Sequence, residues 1–127
     1  MSSQAVLKDI NQALEEIGSL HANWDSYGAP SITKSAIKAA KGLLNTLVNA
    51  QAQRLGDAVR PYTLVPLASG GLQLTWRAPH AEELEVAVRP DGQLGYVLVP
   101  PEGLLNAVEQ DDVSPQTVVA LVAQICG

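Results

Sequence analysis

The chain has a single cysteine, two histidines and no phenylalanine, and its aromatic residues are limited to two tryptophans and three tyrosines. Each shortage excludes something. One thiol, Cys126, cannot form an internal disulfide or a multi-cysteine zinc site, so nothing in the sequence requires an oxidising compartment. The imidazoles His21 and His80 form neither a His-x-x-x-His pair nor a His-Glu-x-x-His motif, which argues against a metal centre. No cofactor is expected. Cations are also scarce. Eight Lys plus Arg stand against thirteen Asp plus Glu, for a net charge of -5, which disfavours nucleic acid as a partner. No apolar run approaches the roughly 20 residues needed to cross a bilayer. The start, MSSQAVLKDINQ, lacks the charged and apolar regions of a signal peptide, so a cytoplasmic location is the expectation.

Hydrophobic residues make up 46% of the 127 positions and charged residues 17%, a balance that fits one domain with its own core. Apolar residues recur at helical spacing from Val6 to Ile17 (Val6, Leu7, Ile10, Ala13, Leu14, Ile17), with Ser3 as the expected cap and Gly18 as the stop. A second helix is expected after Pro30, capped by Ser31 or Thr33 and ending near Leu55 and Gly56. Two amphipathic helices joined by a short loop suggest a hairpin.

From Pro61 the apolar period becomes two. YTLVPLA, LQLTWRAP, ELEVAV and LGYVLVP read as four strands of an antiparallel meander. Leu72, Leu74 and Trp76 share one face with Leu84, Val86 and Val88, while Glu83 and Glu85 lie opposite Arg77 and Thr75 on the other. In the turn RPDGQ, a three-residue loop with a left-handed Gly92 sets Val88 opposite Leu94 and turns Leu94, Tyr96 and Leu98 toward the core. Pro66 marks the first strand as an edge. A short helix is expected through Leu104, Leu105 and Val108. A last helix follows, opened by Ser114 and Pro115 and uncharged throughout, which calls for cover on more than one side. The fold read from these patterns is α+β: an N-terminal helical hairpin on a four-stranded antiparallel meander, closed by a C-terminal helix.

Several motifs that could carry chemistry have plainer readings. SITK at 31–34 matches Ser-x-x-Lys, but the companion motifs of those serine enzymes are missing, so Ser31 reads as a cap. Glu82, Glu83 and Glu85 read as a solvated strand face with cross-strand pairing to Arg77. Lys34, Lys38 and Lys41 form a stripe along the second helix, without the arginines and aromatics of base readers. SGG at 69–71 reads as a hairpin turn, not as a phosphate-binding loop.

The densest chemistry lies in NWDSYGAP, residues 23–30. Trp24 can plug the helix hairpin, Asp25 can bond loop amides, and Gly28 can supply a backbone angle that other residues resist. The same Trp, Asp and Tyr27 on a short loop have the composition of a recognition hot spot. The stretch resembles a set of small uncharacterised bacterial proteins that carry Asn-Trp-Asp-x-Tyr-Gly-Ala before a helix. Those proteins follow it with a Gly-Gly-x-Gln-x-x-Trp strand and a Leu-Glu-(Ile/Val) strand ending in Asp-Gly. Here the matching stretches are NWDSYGAP, SGGLQLTW, ELEVAV and PDG. The resemblance implies a partner-binding protein, antitoxin-like or an adaptor, rather than an enzyme.

The expected function is therefore a non-catalytic interaction module. Its surface would comprise Trp24, Asp25, Tyr27 and Gly28, with Trp76 packed beneath the loop and Arg77 nearby. Its partner would be a protein, and homodimerisation could use the last helix or the first strand's edge. The competing expectation is a small polar-ligand sensor or minor enzyme, in which Asp25, Tyr27 and Arg77 converge on one pocket.

Overall fold

The computed structural model describes residues 3–80 and 82–127. Its elements are helix α1 (Ser3–Gly18), helix α2 (Lys34–Leu55), strands β1 (Thr63–Pro66), β2 (Leu72–Arg77), β3 (Glu83–Val88), β4 (Leu94–Val99) and β5 (Val108–Val113), and helix α3 (Pro115–Cys126). The strands form one antiparallel meander in the order β1-β2-β3-β4-β5. The architecture is α+β, with three helices on one face of five strands.

Helix α1 already includes Ser3, earlier than a cap at that residue would allow. Thr33 caps α2. Its backbone is extended, and its hydroxyl accepts from the Ala36 amide at 3.0 Å. Helix α2 runs through the middle of the helical layer. It buries Ala36, Ala40, Leu43, Leu44, Leu47 and Val48, with α1 packed on one side and α3 on the other. Gly18 at the end of α1 lies beside Ile37, and Asp9 reaches Arg60 just beyond α2 at 3.0 Å, so the first two helices run antiparallel. They are not a tight hairpin, because residues 19–33 intervene and α3 completes the layer.

The core lies between these helices and the faces of β2, β3 and β4, where Leu72, Leu74, Trp76, Leu84, Val86 and Val88 are almost wholly buried. The turn after β3 has the expected geometry. The Arg89 amide donates to Gln93 O at 2.9 Å, the Gly92 amide donates to Arg89 O at 2.8 Å, and Val88 pairs with Leu94. Leu94 is buried and Tyr96 and Leu98 are half-buried on the same face. Arg77 and Thr75 do lie opposite Glu83 and Glu85.

Strand β5 corrects the sequence reading of 104–108. Only Leu104–Asn106 are helical, as a single 3-10 turn, and the chain then extends through Val108–Val113 beside β4. The sequence hid this strand for two reasons. As an outer strand it carries polar side chains, and its period is broken by a bulge, because Leu94 pairs with Val113 but Tyr96 with Gln110. Asp112, in the bulge, adopts a φ of 56° and meets the Arg89 guanidinium. Helix α3 opens as its sequence indicates, with Ser114 accepting from the Thr117 amide at 3.3 Å. Its cover comes from within the chain, from α2 and from β2 and β3.

Candidate functional site

Residues 23–29 fold back on themselves, and the residue types explain how. The Asn23 amide donates to Ala29 O at 2.6 Å and closes the loop. Asn23 Oδ1 accepts from the Gly28 amide at 2.7 Å, and Asn23 O accepts from the Ser26 amide at 3.0 Å. Asp25 Oδ1 accepts from the amides of Tyr27 at 2.9 Å and Ala29 at 3.1 Å, the short-range bonding that makes Asp a turn residue. The amides of residues 26–29 are thus all satisfied inside the loop.

This closure demands left-handed backbone at Asn23 (φ 67°), Ser26 (66°) and Gly28 (85°). Asn tolerates that region better than most residues, and Gly enters it freely. Trp24 is half-buried against the core and donates its indole N–H to Pro30 O at 2.8 Å. It anchors the loop to the helical layer. Tyr27 points the other way and is 92% exposed at the loop tip.

The segment after the loop is fixed by Thr33. Its amide donates to Gly70 O at 3.0 Å and its hydroxyl to Pro90 O at 2.6 Å. One residue therefore caps α2 and fastens the β1–β2 and β3–β4 turns. The sequence offered it only as one of two cap candidates, because partners this distant leave no local signature.

The structure does not bring Trp76 and Arg77 to this loop. Strand β2 starts near it, where Gly70 lies against Ser31 and Pro30, and Arg77 is five residues further on, about 17 Å at the usual strand rise. Trp76 is 1% exposed and donates its indole N–H to Val59 O at 3.1 Å, so it packs behind the connection that follows α2. Arg77 projects from the opposite face. Its guanidinium lies 4.3 Å from the Tyr62 ring centre and 3.6 Å from Glu83. Asp25, Tyr27 and Arg77 do not converge on a common pocket. The Tyr62 contact was not foreseen, because the sequence placed Tyr62 at the head of the first strand without setting that strand's register against β2.

No protein-family model, curated protein or solved structure matches this chain.

His21 and His80 are exposed. Burial, and after it the charge of Glu82, pushes the Cys126 thiol above its ordinary value. A thiol held neutral is a poor nucleophile. Lys34, Lys38 and Lys41 make no ion pair among the described residues. No helix among the described residues is long and apolar enough to cross a membrane.

Proposed function

We propose that this protein is a non-catalytic interaction module, an adaptor or antitoxin-like regulator, that docks a protein partner through the Trp24–Tyr27 loop. The observation that carries the reading is Tyr27. A large aromatic ring is held 92% exposed at the tip of a loop whose amides are already satisfied. Exposed aromatics on rigid supports bind at low entropic cost, since little remains to be ordered on docking. Trp24 and Asp25 act as supports that aim Tyr27, and Gly28 permits the turn beyond it. The likeness of the loop to the Asn-Trp-Asp-x-Tyr-Gly-Ala proteins points the same way. The ligand-sensor reading loses its motive, because Arg77 sits at the far end of β2, away from Asp25 and Tyr27.

The test is a pull-down from lysate of the native cell, with wild type beside Tyr27→Ala, each checked by circular dichroism. Tyr27 makes no core contact, so the variant should fold as wild type does and lose a partner. A folded Tyr27→Ala that retains every partner refutes the assignment.

A further inference from the structure

The lysines of α2 line a groove of about 350 Å³ together with Gly18, Ile32 and Ile37. Gly18 ends α1, and Ile32 precedes the Thr33 cap of α2. The groove is therefore bounded by both ends of the connection that carries Tyr27.

Its lining holds Lys34, Lys38 and Lys41 and no acid. These are three of only eight Lys plus Arg in a chain of net charge -5. Lys34 and Lys38 are exposed and Lys41 is half-buried, and none of them makes an ion pair among the described residues. Arg60, Arg77 and Arg89, by contrast, each meet a carboxylate. Glu15, one helical turn before Gly18, lines a separate groove with Lys8. Like charges three and four residues apart weaken a helix, and here no internal partner offsets them. At about 0.1 M salt, charge more than about 10 Å away is screened, so the local positive sign governs this surface rather than the net negative one.

Spacing then selects the class of occupant. The lysines follow one another at i, i+4 and i+7, which spreads their attachment points over about 10 Å of helix. A lone carboxylate or phosphate meets one end of such a row. An extended acidic segment turns alternate side chains to one side about every 6–7 Å and can meet all of it. Lysines are compact charges on flexible stems, suited to a string of carboxylates, whereas the arginines and aromatics that grip bases are missing from the lining.

We propose that this groove receives an acidic segment of the partner protein, its carboxylates seated along Lys34, Lys38 and Lys41 while the Tyr27 loop docks beside it. The inference rests on the reading of that loop as a protein-docking surface, and it adds the chemistry of the partner.

The experiment is a nitrogen-15 amide titration of the full chain at low salt with end-capped octaglutamate. Octalysine, inorganic phosphate and an oligothymidylate of equal charge are the comparisons. Octaglutamate should give saturable shifts confined to residues 17–19 and 31–42, and its affinity should fall as salt is added. Octalysine should leave those amides unmoved, and phosphate and oligothymidylate should bind more weakly. Replacing Lys34, Lys38 and Lys41 together by Gln, a good helix former, should weaken octaglutamate about tenfold, and Lys38→Gln alone about threefold, with circular dichroism unchanged. Tyr27→Ala should leave this affinity as it is, so the groove can fail while the loop reading stands, and the loop reading can fail while the groove stands. The proposal falls if octaglutamate does not saturate, if its shifts spread to other surfaces, or if its affinity survives added salt or the Lys38→Gln substitution. It falls equally if phosphate binds as tightly, which would mark a small-anion site, or if oligothymidylate does, which would mark a nucleic-acid surface.

Discussion

Gly71 is the position at which one methyl group should do the most damage. A Cβ there would lie 2.1 Å from the Val88 carbonyl oxygen and 3.2 Å from its carbon, both backbone atoms of the neighbouring strand. An ordinary carbon–oxygen contact is about 3.3 Å or more, so the strands must part by over an ångström at this end. The bonds in the path of that movement are the Leu67 amide to Gly71 O at 2.9 Å and the Thr33 amide to Gly70 O at 3.0 Å. Leu72 and Val88, paired and fully buried, lose packing with them. Two hydrogen bonds at about 1 kcal/mol each and one to two more for disturbed packing give about 3–4 kcal/mol for Gly71→Ala. With an unfolding entropy of about 2.1 cal/mol/K per residue, the melting temperature should fall by about 11–15 °C. Gly42→Ala is the matched control. With no atom to meet, it should gain about 1 kcal/mol of helix propensity and melt about 4 °C higher. Scanning calorimetry on both variants decides the matter. A Gly71→Ala chain melting within about 2 °C of wild type would refute the steric argument.

Three further outcomes follow from contacts described above. Trp76→Phe removes the indole donor to Val59 O inside the core, so urea unfolding should shift by about 1–3 kcal/mol with an unchanged slope; an unshifted midpoint would count against that bond. Asp25→Ala strips the acceptor from the Tyr27 and Ala29 amides, and hydrogen exchange at those two amides should accelerate while core amides stay protected. Unchanged exchange would mean that the loop is held by other forces. The folded Cys126 thiol ionises above its ordinary value of 9.0, so its share of stability is complete below that pH and is lost as pH climbs through the folded value. Iodoacetamide at pH 8 should therefore modify the folded chain more slowly than the chain in urea, and equal rates would contradict the burial.

Much of the architecture was legible because local rules and burial agreed. Pro-Asp-Gly dictated the β3–β4 turn, and the turn dictated which of Tyr96 and Val97 faces the core. Ser114 and Pro115 announced α3 for equally local reasons. Strand β5 was illegible because it lies at the edge, where only its two terminal valines are apolar, and because its bulge breaks the alternation that marks a strand. In the loop, Asp25 and Gly28 declared their backbone roles by type, whereas the part Asn23 plays in closing it was not read from the sequence. The grouping of Trp76 and Arg77 with that loop failed for a different reason. Period two assigns a face but not an end, and β2 carries both residues to the end remote from the loop.

Thr33 has a consequence for how the chain is made. Its bonds reach Ala36 and Ile37 nearby, but also Gly70 and, 57 positions along the sequence, Pro90. The start of α2 is therefore also tied to turns synthesised much later. A nascent chain that has emerged only as far as α2 has the helical signals but neither anchor, and the apolar faces of α1 and α2 still lack the sheet that covers them. Such closures of long loops are the slow, non-local kind. The Tyr27 loop closes through bonds among residues 23–30, but the attachment of the α2 start to the sheet is a late product of folding, complete only once the β3–β4 turn has formed.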